Sequence, residues 1–121
     1  MLLNCLLVGA GGFIGAIFRY LASAGFKSIS SWPLGTLAVN LLGSFVLGWL
    51  VYGLAEGKGL SESQRLLFAV GFCGALTTMS TFALESHQLF TAKGFAAISI
   101  NVVFNVLGSL AMIWFAKRLF A

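Results

Sequence analysis

Four apolar runs divide the chain: Leu2–Ala24, Leu34–Ala55, Leu66–Phe90 and Phe95–Phe115. A helix needs about 20 mainly apolar residues to cross a hydrocarbon layer about 30 Å thick. Each run is long enough, and each predicts one transmembrane helix. The connections between them are too short for a soluble domain, so residues 1–121 read as one four-helix transmembrane domain of the all-α membrane class. The first run lacks a basic start, and Arg19 stands where a signal-peptide cleavage region would lie. It therefore reads as a retained helix.

Polar punctuation between the runs supports the same division. In "SSWPLG", Ser31 is a candidate cap for the second helix, and Pro33 stands near its start, where a missing N–H costs nothing. In "SESQ", Gln64 follows Ser61 by three residues, the spacing of a capping box opening the third helix. Tyr20 and Trp32 mark one membrane interface and Trp49, Tyr52 and Trp114 the other, as amphipathic rings do.

Composition fixes the solvent. Hydrophobic residues make up 60% of the chain and charged residues 8%, with a mean hydropathy of +1.01. Soluble domains carry about 25% charged residues, so this chain cannot cover itself with polar groups in water. Its net charge of +4 is accordingly read loop by loop and not as a nucleic-acid footprint. Four spans put both termini on one side with Lys58, Arg65, Lys117 and Arg118, against Arg19, Lys27 and Lys93 opposite. Lys/Arg bias fixes orientation, and here it is nearly nil. Two outcomes are consistent with that balance: insertion in both orientations, or one orientation set by Lys117 and Arg118.

Small residues four apart let helix backbones approach closely: Gly11 with Gly15, Ser44 with Gly48, and Gly71 with Ala75. Polar residues at membrane depth are costly and mark candidate function. The second helix carries Thr36 and Asn40 one turn apart, and the fourth carries Asn101, Asn105 and Ser109 at four-residue steps. An amide cannot satisfy its four hydrogen-bonding sites on its own helix, so the asparagines need partners elsewhere. Arg19 can snorkel to the interface, a structural role. A metal site at His87 has no second His to complete it, Cys5 and Cys73 have no ligand spacing, and no nucleophile–base pair is visible; the chain does not read as an enzyme.

The middle of the third run is "GALTT". A flexible glycine and two β-branched residues form a poor continuous helix, so an interruption is expected near Thr78. Irregular backbone at that depth is tolerated only inside protein or along a cavity.

The segment Gly71-Phe-Cys-Gly74-Ala-Leu-Thr77-Thr78-Met79-Ser80-Thr81-Phe82-Ala-Leu-Glu85 resembles the signature of the CrcB/Fluc fluoride channels. "GGFIGAIFRY" (Gly11–Tyr20) and "PLGTLAVNLLGSFVLG" (Pro33–Gly48) extend the likeness over the whole chain. The resemblance implies an antiparallel, dual-topology homodimer in the bacterial plasma (inner) membrane, passively exporting fluoride through two pores. It implies a structural Na+ at the dimer centre, held by the carbonyls of Gly74 and Thr77. It further implies that Asn40, Thr36, Phe82, Ser80, Thr81, Asn105 and Ser109 line the fluoride path, with Phe82 offering a ring edge. At Met79 the chain departs from the family, which usually has a second Phe there. A four-helix multidrug transporter coupled to protons is the alternative, but it needs a carboxylate in the first helix, and Leu2–Ala24 has none. A purely structural membrane protein explains the glycine faces but neither the asparagine stripe nor the interruption.

Overall fold

The computed structural model describes residues 1–54 and 59–120. Helix α1 is Leu2–Lys27, and α2 is Leu34–Gly53, with its last turn, Trp49–Gly53, wound as π-helix. Helix α3 covers 62–76 and also contains a long π segment, Arg65–Cys73. Helix α4 is Met79–Lys93 and α5 is Phe95–Phe120. Taken as one interrupted span, Glu62–Lys93 joins the other three in being long and apolar enough to cross a membrane. The protein is a multi-pass membrane protein with a broken third span.

The observed helices outrun the apolar runs. Helix α1 ends at Lys27 and not at Ala24, α3 begins at Glu62 and not at Leu66, and α5 reaches Phe120. Amphipathic ends extend past the apolar stretch because the backbone keeps its hydrogen bonds in the interfacial zone. Ala55, the expected end of the second helix, lies outside the described residues, as does Lys58. The capping box is present: Ser61 Oγ accepts the Gln64 N–H at 3.2 Å, and the Ser61 N–H donates to Gln64 Oε1 at 3.0 Å. Ser31 does not cap α2, which begins at Leu34 behind Pro33 with no side-chain cap. Its hydroxyl instead accepts from Lys93 Nζ at 3.2 Å, because that ammonium is held 4.9 Å from the Trp32 ring centroid. Lys117 over Tyr52 and Arg118 over Trp114 make the same kind of pair (5.1 and 5.5 Å).

The packing departs from that of a soluble domain in how much apolar surface it exposes and in the polar side chains it buries beside its apolar core. Phe13, Leu107, Leu110 and many other large apolar side chains face outward, while the interior holds Thr36, Thr78, Ser86, Asn101 and Asn105. Close backbone contact fills the space that large side chains would occupy. Helix α1 packs chiefly on α3, and α2 on α5. A Cβ on Gly11 would collide with Leu67 O, and one on Gly15 with Phe72 O. On Gly71 it would lie 2.6 Å from Val8 O. These small-residue faces therefore serve contacts within the chain. One residue, Gly94, turns α4 into α5 at φ 84° and ψ −170°, a conformation essentially reserved for glycine.

Overpacking a tight contact costs about 1–3 kcal/mol. Gly71→Ala is therefore expected to lower the thermal unfolding midpoint in detergent, whereas Gly25→Ala, in open space on α1, should leave it unchanged or raise it. Equal midpoints for both variants would contradict the close α1–α3 approach.

Candidate functional site: the interrupted helix and its polar chain

Thr77 (φ −81°, ψ 155°) and Thr78 (φ −150°, ψ 122°) are extended, separating α3 from α4. Thr77 still closes the last turn, its N–H and Oγ1 both donating to Cys73 O at 3.1 and 2.9 Å. Thr78 then caps α4: its Oγ1 accepts the Thr81 N–H at 3.2 Å and donates to Thr81 Oγ1 at 3.1 Å.

In a continuous helix each N–H would bond the carbonyl four residues earlier. Here the Thr78 N–H goes to Asn40 Oδ1 at 2.9 Å, which takes the helical donor away from Gly74 O. The Thr81 N–H goes to Thr78 Oγ1, which takes the donor from Thr77 O. Side chains thus take the helical donors from the two carbonyls, Gly74 O and Thr77 O, that the resemblance implied. Gly74 is exposed, with nothing within 4 Å of its Cβ position.

Asn40 also donates from Nδ2 to Thr78 O at 3.3 Å. An extended residue turns its N–H and C=O to the same side, as in a strand pair. The Asn40 amide therefore meets Thr78 as a neighbouring strand would. Its second Nδ2 hydrogen goes to Asn105 Oδ1 at 2.9 Å. Asn105 Nδ2 then donates to Asn101 O and Oδ1 (3.0 and 3.1 Å), and Asn101 Nδ2 donates to Ser86 Oγ at 2.9 Å. The chain is buried, with Asn105 4% and Asn101 5% exposed.

A cavity of about 310 Å³ opens beside the break. It brings together Asn40, Met79, Phe82, Asn105 and Ser109 with Gly74 and Thr77. Phe82 is buried and Met79 is 73% exposed. Ser80, exposed, stands 3.4 Å from Thr78 Oγ1, and Thr81 is engaged with the same hydroxyl. Thr36 is not in this group: it lines a second cavity of about 360 Å³ with Glu85, Gln88, Lys27 and Lys93. Its hydroxyl, only 2% exposed as a residue, has no partner in the structure; nor do Glu85 Oε2 and Arg19 Nε. Arg19 lines neither cavity.

Sequence reasoning passed over three contributors. Ser86 ends the asparagine chain, and its position one turn after Phe82 on the buried face of α4 was the available signal. Glu85, which closes the family-like segment, lines the second cavity with Thr36. Gly43 faces the break: a Cβ there would strike Thr77 Cγ2. Among the described residues no group of three or more His, Cys, Asp or Glu side chains could hold a metal. The resources of the cavity beside the break are neutral: amides, hydroxyls, a ring, and main-chain donors and acceptors.

The family profile described as "CrcB-like protein, Camphor Resistance (CrcB)" matches residues 6–117. The chain belongs to the CrcB family. Among its relatives, a Methanococcus maripaludis protein named "Fluoride-specific ion channel FluC" is 46% identical over 112 residues, covering 93% of this chain and 91% of the relative. A Methanocaldococcus jannaschii protein of the same name is 44% identical, covering 98% and 95%. One from Shewanella sp. (strain ANA-3) is 42% identical, covering 96% and 94%.

In this CrcB chain, Gly43→Ala must displace Thr77, whose stiff β-branched side chain is anchored on Cys73 O. Loss of about 1–3 kcal/mol is expected. Adding Thr77→Ser, which removes the struck methyl, should recover most of it. A double-mutant cycle on thermal unfolding checks this, and strictly additive losses would contradict the contact.

Proposed function

We propose that this CrcB chain forms a fluoride-selective channel that lets fluoride leave the cell passively. The observation carrying the proposal is the interrupted span beside a cavity. Its α4 end presents unpaired first-turn N–H groups and a positive dipole, and its α3 end presents freed carbonyls. Half-helix N-termini suit anions, and unwound carbonyls suit cations. Relatives named for fluoride channels, matching nearly end to end, support the same reading.

Fluoride enters cells as neutral hydrogen fluoride in acid surroundings and ionises at cytoplasmic pH, where it is trapped. An inside-negative potential drives each anion outward by about 2.3 kcal/mol per 100 mV. Selecting fluoride means replacing a tightly held hydration shell at close range. On this reading Asn40, Ser80, Thr81, Asn105, Ser109 and Thr36 supply polar contacts along the path. Phe82 supplies the positive edge of its ring, and Met79 offers polarisable sulfur at the mouth of the cavity. Arg19 is structural.

The working unit is an antiparallel, dual-topology homodimer in the plasma (inner) membrane. The open surroundings of Gly74 support this, as does the near-even split of Lys and Arg between the two sides. Gly74 O and Thr77 O from each copy hold a structural Na+ between them. Neutral main-chain oxygens suit such a hard cation, and both oxygens have lost their helical donors. Small multidrug transport has no support, because α1 carries no carboxylate.

Proteoliposomes loaded with fluoride and monitored with a fluoride electrode should empty rapidly under a potential, while chloride efflux stays near background. Equal or absent fluxes would remove the channel reading. Cysteine labelling from each side of intact cells should find both orientations in comparable amounts. A single orientation would overturn the antiparallel dimer.

A further inference from the structure

We propose that Asn40 is a positioning residue whose amide holds the main chain open at Thr78, and that the hydrogen-bonded chain Asn105–Asn101–Ser86 sets which way round that amide sits. Polar side chains of α5 thereby control main-chain atoms in a different span. For its consequence in ion transport the inference rests on the channel reading. The coupling itself does not.

The polarity of the chain is fixed at both ends. The Thr78 N–H can only donate and the Asn101 carbonyl can only accept. Between them, Asn40 must turn Oδ1 to Thr78, which aims Nδ2 at Thr78 O and Asn105 Oδ1. Asn105 must then turn Nδ2 to Asn101. A flip of either amide would set donor against donor or acceptor against acceptor in a buried site. Each link therefore constrains the next.

Two consequences follow. Both hydrogens of Asn40 Nδ2 are committed, so an anion can take a donor there only by drawing it from Thr78 O or from Asn105. Occupancy of the cavity is thus tied to the main chain at the break. Equally, loosening Asn105 frees the Asn40 amide to turn, and the Thr78 N–H loses its acceptor.

Residue-resolved amide hydrogen exchange on the full chain in lipid nanodiscs reads the Thr78 N–H directly and needs no fluoride. In Asn105→Leu, of similar size but with no polar group, Thr78 should exchange of the order of tenfold faster, the scale of one lost hydrogen bond. Asn101→Leu keeps its main-chain carbonyl for Asn105, so a smaller acceleration in the same direction is expected; it serves as the test should Asn105→Leu not fold. Asn105→Asp, isosteric, keeps an oxygen that accepts from Asn40 Nδ2 and should retain slow exchange. Ser109→Ala, in the same cavity but outside the chain, should match the unaltered protein. Unchanged Thr78 exchange in both leucine variants, or equal acceleration in Asn105→Asp or Ser109→Ala, would overturn the coupling. Faster exchange in the leucine variants with no fluoride efflux from the unaltered protein would support the coupling while the channel reading fell. Efflux with unmoved exchange would do the reverse.

Discussion

The structure depends on one requirement: backbone opened at the middle of a bilayer must have its polar groups answered from within the protein. Thr78 is that opening, and the Asn40 amide answers it on both its N–H and its C=O. An unpaired amide in an apolar medium costs several kcal/mol, comparable with the whole net stability of many domains. A side chain that can both donate and accept in one plane is needed at position 40, and Asn is the shortest that does so. The Thr78 hydroxyl completes the arrangement by starting α4 on its own cap.

The rest of the fold keeps that local arrangement in place. Gly11, Gly15 and Gly71 bring α1 against α3 backbone to backbone, which holds the first half-helix without large side chains. Gly43 leaves room for the Thr77 methyl, so α2 can carry Asn40 close to the break. Helix α5 contributes its asparagines from the far side. Many large apolar residues are left for the outer surface, where lipid meets them, and the interior holds amides and hydroxyls beside a small apolar core that includes Val39, Leu76 and Phe82. Carbonyls freed on one half-helix and N–H groups at the start of the other leave main-chain acceptors and donors within a few residues of each other.

Much of this was legible in the chain. The four spans follow from run length, and the interruption follows from "GALTT", because glycine and β-branched threonines weaken helix where lipid gives no alternative partner. The capping box at Ser61 and Gln64 was readable because both partners lie within four residues. Long-range partners were not. Ser31 looked like a cap until the fold brought Lys93 to it from 62 positions away. Asn40 and Asn105 each announced a need for hydrogen bonds, but spacing along one helix says nothing about which atom on another will meet it. Thr36, one turn from Asn40, faces a different cavity, since a turn of helix also moves a side chain about 6 Å along the axis. Helix ends were misjudged for a simpler reason: apolar content stops at the hydrocarbon edge, and the backbone does not.

Solid-state NMR of the protein in lipid bilayers tests the interrupted span most directly, through the carbon chemical shifts of 62–93. Extended-type shifts at Thr77 and Thr78 between helical neighbours, with a cross-peak from the Asn40 side-chain amide to Thr78, are the result expected. Helical shifts running without a gap through both threonines would contradict it.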